Sequence, residues 1–514
     1  MEEKTKRNKL MKLLLFIPLF LMLVIFCVSS FINWYFNDIS FEQLLFNIIN
    51  SKGADYTIVL YGLLFTLITI GIIILIIFLL YKINSFLKIK VVFKIKIKNK
   101  IIKYTLFKKN IIKIIITYII FCCIFGLLSF KLLNIDKYIK SQKLATNIYD
   151  EYFINAKEVK LKFPKTKRNL IYIFVESLES SNVSKKNGGL VEKTYIPKLE
   201  KLALENINFS HNEKIGGAFQ ATNTGWTIAG MVAQTAGIPL KISIDGNSYK
   251  GYNQFLPGIY NLGDILKENG YNNYLMIGSD ADFGGRKDYF ENHGDYTIYD
   301  YNYAKKTKLI PKKYGVWWGY EDEKLFDFAK DKLLEINKLE EPFNFTLLTA
   351  DTHFPDGYLD ESCKTKFESN YANSFYCSDY KINEFIKWVK KQDFYKNTTI
   401  VIVGDHLTMQ NNFFDEMNEE KRNIYNLFLN SPVSTENSKN RVFSSLDIFP
   451  TTLASLNVDI EGNKLGLGVN LFSNEKTIYE KLGMEYVNEE LEKKSFYYDN
   501  KLLGDTYFKM KDNK

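Results

Sequence analysis

Four short segments of this 514-residue chain carry side chains that together suit a metal-dependent phosphoryl transfer. Two of the segments follow apolar runs, one ending in Glu176 and the other in Asp405 and His406. The other two are a threonine-rich segment around Thr224 and His353. Carboxylates combined with an imidazole are typical ligands of manganese or zinc. A metal lowers the pKa of a bound hydroxyl, as it takes water from about 15.7 to about 7, so a threonine beside these ligands becomes a nucleophile near neutral pH.

The threonine-rich segment around Thr224 supplies such a hydroxyl. We predict that Thr224 begins an apolar helix over Thr224–Thr235, with Thr222 or Asn223 as the N-cap residue. Free backbone N–H groups at that helix start would face a phosphate. Each residue type also has a structural interpretation, because acids at strand ends, single histidines and threonines at helix starts are commonly caps or hydrogen-bonding partners. The order of the four segments favours the functional interpretation.

The elements that position these residues follow from hydrophobic periodicity. Short apolar runs followed at once by polar residues predict buried parallel strands over Leu170–Val175, Tyr274–Ile277, Phe345–Leu348 and Thr399–Val403. Helical patterns alternate with them over Ile196–Asn206, Thr224–Thr235, Leu256–Asn269, Asp322–Leu339, Asn373–Lys391 and Ser445–Leu456. This alternation indicates an α/β domain with helices on both faces of a mostly parallel central sheet.

Polar residues that directly follow the predicted strands are expected to meet at one edge of the sheet. Ligands bind beyond the carboxyl ends of strands in open α/β sheets, because the loops converge there. In strand order these residues are Glu176, then Ser279 and Asp280, then Asp351, Thr352 and His353, and finally Asp405 and His406.

Three apolar blocks near the N-terminus, at roughly 10–31, 56–81 and 110–133, are each long enough to cross a bilayer core of about 30 Å. The first block resembles a secretory signal, but its length, the lack of a small-residue cleavage pattern and the two further blocks favour an uncleaved anchor. The segment 82–109 is rich in lysine and has no acidic residue. The positive-inside rule therefore puts it and the N-terminus in the cytoplasm, and everything after residue 135 on the outer side.

The predicted organisation is a membrane anchor with three transmembrane helices over 1–134, a connecting segment over 135–167, a catalytic domain over 168–473 and a tail over 474–514 with helical potential around Glu480–Lys494. The net charge of +9 suggests nucleic acid at first sight. Topology and contact with membrane lipids explain the lysine excess better, so no nucleic-acid partner is predicted.

The cysteines are consistent with an external domain. Three of them lie in predicted spans, which leaves Cys363 and Cys377 as the one pair in the soluble part. On the oxidising side of a membrane these two are predicted to form a disulfide. The alternative is two unrelated buried thiols.

Several strings resemble a known family: "IYIFVESLES", "NTGWTIAGMVAQTAGIPL", "TADTHFPDGY", "IVGDH" and "GLGVNLFS". They are similar to the membrane-anchored phosphoglycerol transferases of the sulfatase and alkaline phosphatase superfamily, which include lipoteichoic acid synthase and the phosphoglycerol transferase of osmoregulated periplasmic glucans. The resemblance covers about 170–473. It implies a sulfatase-like catalytic domain that faces the periplasm from a multi-pass anchor in the bacterial inner membrane.

The resemblance also implies roles for individual residues. Glu176, Thr224, Asp405 and His406 are expected to bind one divalent ion, manganese first and zinc or magnesium as alternatives, with Thr224 as the nucleophile. His353 is expected to contact the phosphate or aid proton transfer. Arg286 is expected to hold the substrate phosphate, and Lys287 is the alternative. The donor is then phosphatidylglycerol, diacylglycerol is released, and the acceptor is a glycan or glycolipid.

Three other functions compete with this interpretation. A phosphoethanolamine transferase acting on lipid A or a surface glycan would use the same nucleophile chemistry, but several disulfides would be expected and this chain has one candidate pair. A sulfatase would need a Cys/Ser-x-Pro-x-Arg pattern, which is absent near Thr224. A non-enzymatic envelope scaffold would be expected to lose at least one of the four ligand positions, and all four are present.

Overall fold

The computed structural model describes residues 2–36, 39–52, 57–87, 92–97, 100–105, 111–241, 255–410, 413–414 and 422–504. The chain divides into two compact units. The smaller unit is Met1–Phe41 with Asp55–Ile139, and the larger unit is Glu42–Ala54 with Lys140–Lys514. The segment Glu42–Ala54, which the sequence grouped with the anchor, thus belongs to the larger unit.

The first 142 residues contain α1 (Glu2–Phe36), α2 (Phe41–Ile49), α3 (Thr57–Leu87), β1 (Val92–Ile97), β2 (Lys100–Thr105), α4 (Ile111–Leu132) and α5 (Ile135–Gln142). Two described helices are long and apolar enough to cross a membrane, over Ile17–Phe36 and Thr57–Ile76. A bent pair, Tyr118–Leu132 with Ile135–Gln142, adds a third candidate if the pair is one span. The structure thus has candidate membrane helices near the first two predicted spans, and the third span stays a prediction.

The lysine-rich segment between α3 and α4 contains an antiparallel hairpin of β1 and β2. No strand was predicted there. Residues 88–91, 98–99 and 106–110 of this region lie outside the described part of the chain. The orientation predicted from its lysines stays a prediction.

The larger unit alternates helices and strands. Its further helices are α6 (Ile148–Tyr152), α7 (Pro197–Glu205), α8 (Thr227–Ala236), α9 (Leu262–Glu268), α10 (Arg286–Asn292), α11 (Tyr301–Lys306), α12 (Asp322–Asn337), α13 (Asn370–Val389), α14 (Ile448–Ala454), α15 (Ile478–Leu482) and α16 (Met484–Glu492). Its strands are β3 (Leu161–Lys162), β4 (Asn169–Val175), β5 (Gly217–Ala218), β6 (Asn272–Ile277), β7 (Thr297–Tyr299), β8 (Phe343–Leu348), β9 (Thr398–Gly404), β10 (Ile424–Leu429), β11 (Asp459–Ile460), β12 (Lys464–Leu465) and β13 (Gly468–Val469).

Seven of these strands form the central sheet, in the order β5-β10-β9-β4-β8-β6-β7. The five strands from β9 to β7 are parallel, whereas β10 and β5 continue the sheet in antiparallel pairing. The predicted α/β class and mostly parallel sheet are confirmed, and β4, β6, β8 and β9 are the four predicted strands. Their carboxyl ends lie at one edge of the sheet, as parallel pairing requires.

Both faces of the sheet are covered. Successive side chains of a strand point to opposite faces, so Tyr172 and Phe174 of β4 pack into the main core, which includes Met231 of α8. Neighbouring strand residues such as Ile173 are fully buried as well. A strand hidden on both faces is apolar throughout, which explains why β4 lacks alternation.

The charged C-terminal tail also packs into the larger unit. Its helices α15 and α16 fall where helical potential was predicted. Tyr479, Val487 and Leu491 are buried members of the main core. Residues 474–504 therefore form part of the larger unit, because they bury apolar side chains in its main core.

Candidate active site

Two neighbouring strands bring three of the predicted ligands together. Glu176 follows β4 directly, and Asp405 and His406 follow β9, its parallel neighbour. One ligand atom from each residue lies within 4.8 Å of the others. Nε2 of His406 is 3.4 Å from Oε1 of Glu176 and 3.5 Å from Oδ2 of Asp405. The prediction that these residues meet at the sheet edge is confirmed.

The hydrogen bonds of Asp405 and His406 leave one atom of each directed at a common point. Oδ1 of Asp405 accepts from the backbone N–H groups of Ser177 and His406, at 2.8 Å each, whereas the buried Oδ2 has no partner among the described residues. Nδ1 of His406 donates to the carbonyl oxygen of Leu407 at 2.8 Å, which leaves the Nε2 lone pair for a ligand. An orphaned carboxylate oxygen beside an oriented imidazole fits a divalent metal ion.

Electrostatics support the same assignment. Burial would raise the pKa of Glu176, but the charges of His353 and His406 outweigh it and hold the pKa at about 2. Burial and the charge of Glu176 raise the pKa of Asp405 to about 7. Two acids this close cannot both ionise cheaply without a nearby cation. Burial would lower the pKa of His406, but the charges of Asp405 and Glu176 outweigh it and raise the pKa to about 10, so the imidazole is that cation in the metal-free site. A divalent ion bound there would replace this positive charge.

The structure corrects the predicted helix start. Helix α8 begins at Thr227, and its N-cap residue is Trp226, in extended backbone and without a side-chain cap. Thr224 lies before the helix and is fully buried, and its hydroxyl donates to the carbonyl oxygen of Ala221 at 2.7 Å. Neither Thr222 nor Asn223 caps α8, so those predictions were wrong. Thr224 is enclosed by protein and bonded to the backbone in this structure, and its predicted role as nucleophile stays a prediction.

Thr227 is the threonine whose hydroxyl contacts a predicted ligand in the structure. Its hydroxyl donates to Oε2 of Glu176 at 3.3 Å, and the residue is only half-buried. As the first residue of a ten-residue helix, it lies among the free N–H groups that favour an anion. The sequence signal was available, because Thr227 directly precedes the first apolar residue of the helical pattern.

Close packing holds α8 against the ligand strand. A Cβ on Gly230 would lie 2.1 Å from the backbone oxygen of Asp405, so only glycine allows this approach. The side-chain amide of Gln234 donates to the carbonyl oxygens of Gly404 and Asp405, at 2.9 and 3.1 Å. These contacts fix the start of α8 relative to the metal ligands.

His353 lies at the carboxyl end of β8, as predicted. Its Nδ1 donates to the carbonyl oxygen of Phe354, which leaves Nε2 available to exchange a proton with a substrate. Burial lowers the pKa of His353, although the nearby charge of Glu176 acts in the opposite direction. A histidine that is neutral near pH 7 accepts or donates a proton readily.

Arg286 is a buried cation close to the acids. It starts α10, one of its terminal nitrogens donates to the carbonyl oxygen of Asp280 at 2.8 Å, and its Nε has no partner among the described residues. Burial lowers its pKa to about 10, while the charges of Glu176 and Asp280 act to raise it. Lys287, the alternative, lies 3.9 Å from Glu291 and is more exposed. Arg286 therefore suits a phosphate better.

Two distant segments support the site and were not predicted. In α2, the ring of Phe46 packs 6.0 Å from that of Trp226, the N-cap residue of α8, and farther on the carbonyl oxygen of Asn50 accepts from the N–H of Gly284. In the tail, the side chain of Asn488 accepts from the N–H of Thr222 at 3.1 Å. Residues from both ends of the chain thus hold the loops around Thr227 and Arg286.

The structure brings the predicted cysteine pair together. Cys363 and Cys377 are bonded, with Cα atoms 5.2 Å apart, and the bridge ties the loop after β8 to α13. The two cysteines are separated by 14 positions in sequence.

Comparison with known proteins identifies the family. Phosphoglycerol transferase I of Xanthomonas campestris pv. campestris is 33% identical over 319 residues, which cover 60% of this chain and 43% of that protein. Phosphoglycerol transferase I of Citrobacter koseri is 36% identical over 281 residues, covering 53% of this chain and 35% of that protein. The chain thus matches less than half the length of these relatives.

A solved structure, that of lipoteichoic acid synthase from Listeria monocytogenes, superposes with a TM-score of 0.48 at 20% identity, over 63% of this chain and 81% of that one. The sulfatase family matches residues 168–458, which include β4, α8 and β9 with the ligands and the threonine. Because this match extends over more than half of the chain, the protein belongs to the sulfatase family.

Proposed function

We propose that this protein transfers phosphoglycerol from phosphatidylglycerol to a glycan acceptor outside the cytoplasm, through a covalent intermediate on Thr227. One observation carries the proposal: the hydroxyl of the half-buried Thr227, at a helix start, donates to Glu176 beside Asp405 and His406. The names of the relatives, phosphoglycerol transferases at 33% and 36% identity, support the choice of headgroup.

Glu176, Asp405 and His406 are the residues proposed to hold one divalent ion, with the Thr227 hydroxyl as a further ligand in place of the predicted Thr224. Manganese is the ion we expect first, and zinc or magnesium would satisfy the same donor set. When bound, the ion would lower the pKa of the hydroxyl and stabilise charge on the phosphoryl oxygens. Two carboxylates and one imidazole balance its charge.

In the first half-reaction, the Thr227 hydroxyl loses its proton and its oxygen attacks the phosphorus of the donor. The bond between phosphorus and the diacylglycerol oxygen breaks, and diacylglycerol leaves with a proton. Glu176 orients the hydroxyl through the bond to Oε2. Nε2 of His353, which the Nδ1 hydrogen bond to Phe354 leaves available, takes the proton of the Thr227 hydroxyl and passes it to the leaving oxygen of diacylglycerol.

In the second half-reaction, a hydroxyl of the acceptor attacks the same phosphorus and gives its proton to His353. The bond between phosphorus and the Thr227 oxygen breaks, and His353 passes the proton to that oxygen, so both residues return to their first state. Arg286 holds the phosphoryl oxygens in both steps, because a buried guanidinium with an unpaired N–H binds an anion strongly.

The apolar helices at the N-terminus support a lipid donor. The helices over Ile17–Phe36 and Thr57–Ile76 suit membrane anchoring. A tethered enzyme meets a lipid headgroup by diffusion within the membrane, so the donor never has to leave the bilayer. The proposed location of the catalytic unit, in the periplasm, stays as the lysine-rich segment predicts.

A lipid-exchange assay tests this function. The full chain with manganese is added to vesicles that contain either phosphatidylglycerol or phosphatidylethanolamine, and release of diacylglycerol is measured. We expect release from phosphatidylglycerol alone, loss of release in Thr227→Ala, and partial activity in Thr227→Ser, which keeps a hydroxyl. Release from phosphatidylethanolamine alone would favour a phosphoethanolamine transferase, and no release from either lipid would contradict the proposed enzyme class.

A further inference from the structure

A tight turn carries two adjacent tryptophans to the side of the candidate active site. Val316 and Gly319 exchange backbone hydrogen bonds of 2.8 and 2.9 Å, with Trp317 and Trp318 at the tip between them. The turn is fastened to the carboxyl end of β6, because the N–H of Tyr320 donates to the carbonyl oxygen of Gly278 at 3.0 Å. The proposed metal ligands and His353 lie at the same edge of the sheet, where the other parallel strands end.

The turn has an unfavourable backbone conformation at Trp317. Trp317, the first of the two central residues, has φ of +50°. Two-residue hairpins place glycine in such a position, and a bulky side chain there is a backbone outlier. The indole N–H of Trp317 is also buried without a partner among the described residues. Strain of this kind accumulates at functional sites, where the fold holds a side chain for a ligand.

The second tryptophan extends the phosphate site sideways. The Trp318 ring lies 4.8 Å from the imidazole of His353 and stacks on Phe283 at 5.5 Å, with an interplanar angle of 24°. The guanidinium of Arg286 lies over the other end, 5.4 Å from the Phe283 ring centre. Trp318, Phe283 and His353 are only partly buried. Together these rings form an aromatic strip that runs from the guanidinium to the imidazole.

We propose that Trp318 and Phe283 form the acceptor subsite, a platform on which a pyranose ring of the glycan stacks with its hydroxyl directed at the phosphorus. The proposal rests on the transfer function proposed above. A pyranose has an apolar C–H face that packs on an aromatic surface, and such rings supply rigid contact area with a fixed orientation. The donor headgroup does not need this surface, because its phosphate is placed at Arg286 and its glycerol is a short acyclic chain.

The position of the Trp318 platform beside His353 suits the acceptor. The second half-reaction needs a hydroxyl whose proton reaches Nε2 of His353, and a sugar ring on Trp318 lies next to that imidazole. The strained turn would then serve to fix the plane of the Trp318 ring, because this plane sets the angle at which the acceptor hydroxyl attacks the phosphorus. Trp317 supports the turn through its own stacking on Tyr358, at 6.5 Å and 21°.

Direct binding tests the platform. The full chain in lipid nanodiscs, free of sugar-based detergent, is titrated with a linear β-linked glucose hexasaccharide, and binding is followed by saturation-transfer NMR. Sorbitol, which has the hydroxyls of glucose but no ring face, is the ligand control. We expect saturable binding of the hexasaccharide, about tenfold weaker binding in Trp318→Ala, weak loss in Trp318→Phe, and a change of less than about twofold in Trp388→Phe, a control on α13.

Three results would overturn the platform: equal binding of sorbitol, unchanged affinity in a folded Trp318→Ala or Phe283→Ala, or displacement of the hexasaccharide by soluble glycerol phosphate, which would assign the rings to the donor. Trp318→Phe keeps the test valid if the alanine variant fails to fold. If the hexasaccharide does not bind but the enzyme still releases diacylglycerol, the platform is wrong and the transfer function stands. Binding that depends on Trp318 without any release would contradict the transfer function alone.

Discussion

Replacement of Arg286 separates binding of the phosphate from stability of the fold. The side chain is 7% exposed, one of its nitrogens donates to the backbone of Asp280, and its Nε is unpaired among the described residues. A buried polar group that is kept unpaired for a ligand lowers the stability of the free protein, and its hydrogen bond forms only in the complex. Arg286→Ala should therefore weaken substrate binding while leaving the fold intact.

The size of the effect follows from the burial of the guanidinium. Its pKa falls from 12.5 to about 10, chiefly through burial and against the opposing charges of Glu176 and Asp280. At about 1.4 kcal/mol for each pKa unit, that is about 3 kcal/mol of uncompensated burial. A phosphate anion that pairs with Arg286 would offset a cost of this order. Loss of the residue should then weaken phosphate binding about 100-fold.

The assay is titration of the full chain with soluble sn-glycerol 1-phosphate, alongside thermal unfolding. We expect about 100-fold weaker binding in Arg286→Ala, a smaller loss in Arg286→Lys, which keeps the charge but not the forked geometry, and little change in Lys287→Ala. The melting temperature of Arg286→Ala should equal or exceed that of the parent. Unchanged affinity in Arg286→Ala, or an equal loss in Lys287→Ala, would refute the assignment of the phosphate to Arg286.

Three further outcomes are expected. Burial and the charge of Glu176 raise the pKa of Asp405 to about 7, and the two acids raise that of His406 to about 10 against its burial. Protons therefore compete with the metal at both groups, and manganese affinity should fall by at least about tenfold for each pH unit below 7; a pH-independent affinity by calorimetry would contradict this. Phe46→Ala should destabilise the larger unit by about 3–5 kcal/mol, measured by thermal unfolding, whereas Ile48→Ala, 62% exposed, should change little. Replacing Cys363 and Cys377 together by serine should lower the free energy of unfolding by about 3 kcal/mol, because the bridge restricts the unfolded chain between two residues 14 positions apart. Unchanged denaturant unfolding would argue against this.

The strands that position the site could be predicted because their local signal is strong. Runs such as those of β4 and β9 are short, wholly apolar and followed at once by acids. Parallel pairing then brings Glu176, Asp405 and His406 to one edge without any knowledge of loops. The antiparallel extension of the sheet by β10 and β5 was not predicted. β5 has only two residues, too few to show a strand pattern in the sequence, and it is defined by its pairing with β10.

The nucleophile could not be assigned from residue types alone. Thr222, Thr224 and Thr227 offer the same hydroxyl within six positions, and N-cap preference favours a threonine or asparagine before the helix. The structure instead uses Trp226 in extended backbone as the N-cap residue, and the helix starts at Thr227. Tertiary packing of Gly230 against Asp405 decides this start, and no local pattern reports such a contact.

Contacts made across long sequence separations account for the remaining misses. Phe46 lies about 180 residues from Trp226, which it touches, and Asn488 holds Thr222 from the C-terminal tail. In the sequence, α2 looks like part of the anchor, and the tail looks like a charged extension. Their apolar side chains gain burial only when the whole unit is folded.

The site of covalent attachment tests the central claim most directly. The full chain is incubated with phosphatidylglycerol and manganese, quenched in acid, digested and examined by mass spectrometry of the peptide that contains Thr224 and Thr227. We predict a glycerophosphoryl group on Thr227, lost in Thr227→Ala and retained in Thr224→Val if that variant folds. An adduct on Thr224 would contradict the assignment drawn from burial and hydrogen bonding, and the absence of any adduct under conditions where diacylglycerol is released would contradict the covalent mechanism.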